Sequence, residues 1–394
     1  MTAVSATQSG TMPTERTNTD TLIIGAGIAG LSTALFLARR GHRCAVIDRS
    51  FPNAGASGAN AGSLHAQLLS YDFGAKAEAG GRPQVRTLPL QVASIALWQQ
   101  LQQELGRDLE IKITGGLMLA EDERGLAFLD AKARIDRDNG VACHVIGANE
   151  IRDREPMLGD GFMGASWCPL EGKINPLIAT HAILEAVAAR GVPVLAQTEA
   201  RAIERAGSGF MVATSRGDIR AGRVVNAAGA HAGRIAELVG VGLPVHGAPM
   251  QMIVTEAAGP TLSTLVAHGD RHLSLKQAAN GTFMIGGGWP AGLDPVHHHP
   301  RPLRSSIEGN LWVAQRVLPS LRKLHVVRSW AAMNVDIDGA PILGEHPAVP
   351  GFFNTVTSTG YTLGPLMGRI TADLIVDGRT DRDVKPCGVE RFGR

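Results

Sequence analysis

Apolar residues run along the chain in two rhythms. Thr21–Ile24 (TLII), Cys44–Ile47 (CAVI) and Val224–Ala227 are short unbroken runs, which predicts strands buried on both faces. Between the first two, Leu31, Ala34, Leu35 and Ala38 recur at the helical period, and Gly41 supplies a stop. Leu88, Val92, Ile95, Trp98, Leu101 and Leu105 step by three or four, which predicts an amphipathic helix over 87–105. Ile111–Leu119 reads as strand, turn, strand. Asn175 and Pro176 suit the N-cap and first position of a helix that carries Leu177, His181, Leu184 and Ala188 on its buried stripe, with Gly191 at its end. Val192–Ala196 returns as a strand, Arg201–Glu204 and Gly209–Thr214 as a meander pair, and Gly233–Val239 as a helix. From Leu243 to about Arg328 the rhythm changes. Met250–Val254, His272–Lys276 and Thr282–Ile285 are strand-like runs spaced by turn signals, with one helix over about Ser305–Val317, so an antiparallel sheet is expected there. From Val326 the chain is expected to return to the first domain. A last helix follows Gly360, with Leu366, Ile370 and Leu374 on one face, Pro365 in its first turn and Gly378 past its end.

The first of these units carries chemistry. Strand, Gly25-Ala26-Gly27-Ile28-Ala29-Gly30, helix, strand and Asp48 follow one another, with Asp48 18 residues past Gly30. That is a complete Rossmann-type dinucleotide-binding βαβ unit. Gly25 permits the tight turn, Gly27 has no side chain to block a pyrophosphate, and Gly30 lets helix and strand approach. The helix start offers N–H groups to phosphates, and Asp48 can accept ribose hydroxyls. The loop that follows, Phe51–Gln67 (FPNAGASGANAGSLHAQ), is small and almost uncharged, as suits backbone pressed against a large flat cofactor. The glycine unit alone also suits a nicotinamide cofactor.

Composition narrows the classes. Of 394 residues, 44% are hydrophobic and 48 are glycine, in clusters without a three-residue period, so the chain is globular rather than fibrous. A net charge of +2 and 4% aromatics leave no footprint for nucleic acid. No apolar run reaches the roughly 18 residues that span a bilayer, which leaves peripheral membrane association open. Residues 1–19 read as a Ser/Thr-rich disordered leader without a secretory core, and a cytoplasmic location is expected. Cys44, Cys143, Cys168 and Cys387 are far apart and read as reduced structural thiols; His297–His299 reads as a solvated loop, so no metal is expected.

GAGIAG, Asp48 and the GASGANAGSLH loop resemble the FAD-dependent amino-acid oxidase superfamily, and within it the catalytic beta subunits of hydrogen cyanide synthase, opine oxidases and D-hydroxyproline dehydrogenase. Glu171–Pro176 (EGKINP), Val224–Ala230 (VVNAAGA) and Thr357–Gly364 (TSTGYTLG) extend the resemblance over about residues 20–380. It implies an α/β plus α+β fold: a Rossmann-like FAD domain in three parts (20–85, 151–240 and 326–394), split by a substrate domain (86–150 and 241–325) with an antiparallel sheet. It implies FAD held by Gly25, Gly27, Ile28, Ala29, Gly30, Asp48, Arg49, Ala56, Ser57, Asn60, Ala61, Gly62, Ser63, Leu64, Ala200, Ala228, Gly229, Gly360, Tyr361, Thr362 and Leu363. The final helix would turn its N-terminus to the flavin pyrimidine edge, where negative charge collects on reduction.

The activity implied is oxidation of a small, secondary amino or imino acid, with partner subunits carrying further redox centres. A single-chain, peroxide-producing oxidase and a non-catalytic FAD subunit of an electron-transfer complex are the alternatives. Candidate catalytic residues are His65, Tyr361, Asn334 and Arg271. Glycine oxidase-like members place an arginine for the substrate carboxylate in a segment WAGLRP; the matching stretch here is Trp330–Val335, with Asn334 at that place. Arg271, and after it Arg328, are the substitute cations.

Overall fold

The computed structural model describes residues 17–69 and 82–393, so the expected leader falls, up to residue 16, outside the described residues. Its strand already begins at Thr17. The first sheet is built on parallel pairs: Thr17–Ile24 lies between Gly217–Asn226 and Cys44–Ile47, with Phe352–Val356 and Val194–Leu195 outside them. Alternation explains its two faces. Ile23, Val46, Val225 and Phe353 face helices Ile28–Arg39, Leu88–Leu105, Pro176–Ala188 and Gly360–Asp377. Leu22, Ile24, Ala45, Ile47, Val224 and Phe352 face the meander Ala200–Ala206 and Gly209–Thr214. The helices Ile28–Arg39 and Gly360–Asp377 pack closely because the second presents glycine: a Cβ on Gly368 would lie 2.5 Å from the Thr33 nitrogen.

The second sheet runs Val326–Asp336, His246–Ala257, Thr282–Gly286, Ser274–Gln277, Leu265–His268, Gly116–Ala120, Gly164–Cys168, His144–Gly147, antiparallel except where Leu265–His268 meets Gly116–Ala120. Its core is separate, with Phe283, Ile285 and Leu275 against helix Arg304–Val317.

Three expected borders move. Val326–Asp336 does not return to the first domain: it pairs along its length with His246–Ala257 and is the edge of the second sheet. The return comes at Ile342. Helix Leu88–Leu105, expected after the border at 86, belongs to the first core, where Leu88 and Trp98 are fully buried. Gly164–Cys168, expected in the first domain, is a strand of the second sheet.

Pro365 sits inside the final helix and cannot donate to the carbonyl four residues back. That carbonyl, Tyr361 O, accepts instead from the Trp98 indole at 3.0 Å, and Thr362 O accepts from Ser94 Oγ at 2.6 Å. The helix start is thus fixed by a helix distant in sequence.

Candidate active site

The glycine turn closes tightly. Gly25 has φ +114°, a conformation that favours glycine, and a Cβ there would meet Ala227 O at 2.4 Å. A Cβ on Gly30 would lie 1.9 Å from Gly25 O. Ala227 N bonds Ile24 O, so the strand end carrying Ala228 and Gly229 comes beside the turn. The helix begins at Ile28 with Gly27 as its N-cap and no capping side chain, which leaves first-turn N–H groups of Ala29 and Gly30 without intrahelical acceptors. Ile28 N is bonded by Ser57 Oγ at 3.0 Å. Asp48 takes Ala26 N and Ser50 N, each at 2.8 Å, and so also ties the turn. Its two oxygens offer about four acceptor sites, which leaves room for ribose hydroxyls. Arg49 is bonded to His231, and Ala200, itself buried, opens its strand two residues past Thr198, whose N–H bonds Asp48 O.

The small-residue loop crosses to the other domain. Ala56–Ala59 forms one helical turn, and its last carbonyl accepts from the Trp330 indole of the second sheet. Asn60 Oδ1 accepts from Gly62 N. Ser63 and Leu64 pair with Lys173 and Gly172, so the loop and the EGKINP segment form one small ribbon. Thr362 Oγ1 accepts from His65 N and donates to Ser63 O, which ties the loop to the final helix start. That start, Gly360–Leu363, has no capping side chain on Thr359. The room a Cβ would fill, the two open helix starts and the small loop between them fit FAD.

A cavity of about 210 Å³ opens where these parts meet the second sheet. It brings together Ala56, Asn60, Ala61, Ser63, His65, Gly360 and Thr362 with Arg271 and Asn334. Asn334 reaches it on the edge strand, bonded to Met250 Sδ at 3.5 Å. His65 lines the cavity, with Nδ1 3.3 Å from Glu171 Oε1. Arg271 is not a lone cation. It pairs with Glu121 at 3.0 Å, and Arg316 and His268 share that carboxylate. Burial alone would raise the Glu121 carboxyl, but the bonds from Arg316 and Arg271 outweigh it and pull it down to about 2. Arg271 Nε is buried and has no partner among the described residues.

Two candidates lie apart from the substrate position. Tyr361, a candidate catalytic residue, borders the cavity, but its hydroxyl is engaged in the core. The side chain is 3% exposed, stacks on Trp98, and its hydroxyl is shared with Thr180 Oγ1 and Pro176 O, both at 2.9 Å. It anchors the helix start that the cofactor site needs. Arg328 lies in a second cavity of about 690 Å³, on the far side of the loop, with Lys112, Lys173 and Lys276.

Sequence reasoning missed Lys276. It is 2% exposed on strand Ser274–Gln277 and donates to Ser63 Oγ at 2.7 Å, with no acidic partner among the described residues. Burial, then repulsion from Lys173, pulls its amine down to about 7. A lone lysine in the short run SLKQ is the only trace it leaves in the sequence, and nothing local distinguishes that run from a surface edge. The consequence has a definite sign. Unfolded, a lysine titrates near about 10.4. Between pH 7 and 10 the unfolded chain therefore binds more protons, and stability rises with pH. Lys276→Met is expected to remove a slope of up to about 1.4 kcal/mol per pH unit. Denaturant midpoints at pH 7, 8, 9 and 10 measure it; parallel curves for both proteins would refute the burial.

Glu171 was also missed as a functional residue. Its carboxylate sits under His65, fully engaged, and Gln67, Lys132 and Asp136 continue inward from it. Lys132 and Asp136 stand one helical turn apart, but no periodicity or spacing connects them to Glu171 or Gln67. All four cysteines are free and buried, and burial pushes the Cys44 thiol up to about 12. Among the described residues no helix is long and apolar enough to cross a membrane.

Comparison with known proteins fits this geometry. The chain is 28% identical to the glycine oxidase of Geobacillus kaustophilus over 378 residues, 94% of this chain and 97% of that protein. The crystal structure of that oxidase superposes with a TM-score of 0.85, covering 95% of this chain and 99% of that one. It is 28% identical to an opine oxidase subunit of Rhizobium meliloti over 388 residues, 95% of this chain and 97% of that protein. The fold also matches L-proline dehydrogenase from P. horikoshii, with a TM-score of 0.86, 24% identity and coverage of 96% and 99%. The family model described as DAO, FAD dependent oxidoreductase, matches residues 20–374. A glycine turn, an open final helix and a loop joined to a second sheet are thus how this chain, a member of the DAO family of FAD-dependent oxidoreductases, builds its site.

Proposed function

We propose that this chain oxidises a small amino or imino acid, of secondary type such as D-hydroxyproline or an opine, and does so as the catalytic beta subunit of a hetero-oligomeric dehydrogenase in the cytoplasm. The observation that carries this reading is the single cavity in which the cofactor loop, the start of the final helix, His65 and Arg271 meet. Similarity to glycine oxidase and to the opine oxidase subunit supports the amino-acid class, and the second of these, a subunit by name, supports a partner subunit. Free buried cysteines accord with a reducing compartment.

When bound, FAD would supply the redox chemistry, as acceptor of a hydride from the carbon beside the substrate nitrogen, held by the Gly25–Gly30 turn, the small-residue loop and the start of the final helix. The chain supplies the rest. Arg271 attracts the substrate carboxylate, with Glu121 and Arg316 fixing its guanidinium. Asn334 offers a neutral hydrogen bond where a second charge would over-bind. His65 takes the proton that the substrate nitrogen must lose before a hydride can depart. Met118, Met250 and Met252 give the cavity an apolar wall that strengthens these polar contacts.

The test is a panel of glycine, sarcosine, proline, hydroxyproline and opines, run anaerobically for flavin bleaching and then with an artificial acceptor beside an oxygen electrode. Bleaching with acceptor-dependent turnover supports the dehydrogenase. Rapid oxygen uptake without acceptor supports instead a single-chain oxidase, the reading that likeness to glycine oxidase favours. No bleaching by any amine leaves the non-catalytic FAD subunit. Arg271→Met is expected to raise KM for carboxylate substrates about 10- to 100-fold with kcat nearly unchanged, the loss of one charge-assisted contact of about 1.5–3 kcal/mol. An unchanged KM moves that role to another residue.

A further inference from the structure

The polar chain behind His65 is longer than a lone imidazole requires. Glu171 is buried in the turn before Gly172–Lys173 and receives four donors. Oε1 accepts from His65 Nδ1 at 3.3 Å, Ala66 N at 3.1 Å and Gln67 N at 3.4 Å; Oε2 accepts from Gln67 Nε2 at 2.8 Å. Burial alone would raise this carboxyl, but the bonds from His65 and Gln67 and the charge of Lys132 hold it below its ordinary value. Gln67 has no choice of orientation. Lys132 Nζ, which only donates, lies 2.9 Å from one end of its amide, so that end is oxygen and the NH2 points at Glu171. Ser166 Oγ donates to the same oxygen at 3.2 Å. Lys132 also donates to Asp136 Oδ2 at 2.6 Å, and Asp136 Oδ1 accepts from Leu68 N at 3.0 Å. The chain has one satisfied arrangement, held by the cofactor loop, helix Glu123–Asp138 and the second sheet.

We propose that Glu171 is the positioning residue of this site: it holds His65 in the tautomer protonated on Nδ1 and turns the unprotonated Nε2 to the substrate cavity, with Gln67, Lys132 and Asp136 fixing Glu171 in turn. The inference rests on the amine-oxidising reading for its purpose, but not for its geometry. An ionised carboxylate cannot donate, so Nδ1 must. A neutral imidazole has one such proton, so Nε2 carries the lone pair. Nε2 has no protein hydrogen bond among the described residues, and the ring borders the cavity. There it accepts one proton from the substrate ammonium: an N–H bond breaks on the substrate and one forms on Nε2, with no electrons exchanged. The imidazolium keeps Nδ1 on Glu171, whose negative charge offsets the new positive one. The other charged or titratable groups around the ring among the described residues are Arg271, His268, His272 and Tyr361 at the cavity and Lys276 behind Ser63, with Lys132 and Asp136 behind Gln67. Glutamine cannot replace Glu171. Its NH2 would face either the Ala66 and Gln67 N–H groups or the Gln67 NH2, and turning Gln67 to accept would set that NH2 against Lys132.

The experiment is nitrogen-15 NMR of the histidine-labelled holoenzyme at alkaline pH, with His65→Asn identifying the signal, beside the pH profile of anaerobic flavin reduction by sarcosine and proline. The wild type is expected to carry its proton on Nδ1. E171Q is expected to lose that preference and slow reduction about 10- to 100-fold, by analogy with the loss of carboxylate partners that orient metal-bound histidines. A wild-type proton on Nε2, or an unchanged tautomer in E171Q, overturns the proposal. If E171Q does not fold, the wild-type spectrum alone decides. If the tautomer is as stated but neither amine reduces the flavin, the positioning role stands and the reading of the reaction fails.

Discussion

Gly30→Val is expected to yield a protein that purifies without yellow colour. A Cβ at this position would lie 1.9 Å from Gly25 O and 3.2 Å from the Ala227 side chain, so the helix must move away from the strand end. Both consequences act on the cofactor. The first-turn N–H groups that face a pyrophosphate shift by an ångström or more, and the turn at Gly25 opens where the strand carrying Ala228 closes over it. Contacts between backbone and a charged group fail with such displacement, since a charge-assisted hydrogen bond needs about 2.7–2.9 Å. Gly147→Ala, at the end of the outermost strand of the second sheet, is the control: its backbone is extended, with φ −87°, and a Cβ there meets nothing within 4 Å, so it should keep a full complement of flavin. The ratio of flavin to protein absorbance reads both. Full occupancy in Gly30→Val would mean that FAD is held without this turn, and the assignment of the cradle would be wrong.

Lys132→Met is expected to cost about 3–5 kcal/mol, a large share of the roughly 5–15 kcal/mol that holds a domain folded. Lys132 and Asp136 are both fully buried, one helical turn apart, and their 2.6 Å bond is the only ion pair of either among the described residues. Removing the lysine leaves Asp136 charged in the core, and it also takes a donor from Gln67 Oε1. Asp136→Asn in the same chain should recover most of the loss, because an amide still accepts from Leu68 N and carries no charge. Urea midpoints of the three proteins measure this. A loss below about 1 kcal/mol would show that Asp136 is hydrated or neutral and that the chain behind His65 is not a buried network.

The two results would separate what was legible in the sequence from what was not. The glycine turn, the N-cap at Asn175 with Pro176 after it, and the helix Leu88–Leu105 were all legible, because each is set by residues within one or two turns of each other. Asn175 Oδ1 accepts from Leu177 N, as an N-cap does. The final helix ends at Gly378 with φ +69°, as a C-terminal glycine does. Edge strand Val326–Asp336 was misplaced because its pattern of half-buried residues has no period that says which sheet it joins; its partner lies about 80 residues earlier.

The sequence by itself determined the dinucleotide unit, the four helices of the first core and the presence of a second, largely antiparallel sheet, since backbone conformation and side-chain period are local properties, while helix Glu123–Asp138 went unread. Only the tertiary structure decided the charges of the site. Arg271 meets Glu121 from 150 residues away, Glu171 meets His65 from 106, and Lys276 reaches Ser63 from 213. Whether a charged side chain is solvated, paired or buried alone depends on which elements the topology brings together, and no local pattern carries that information.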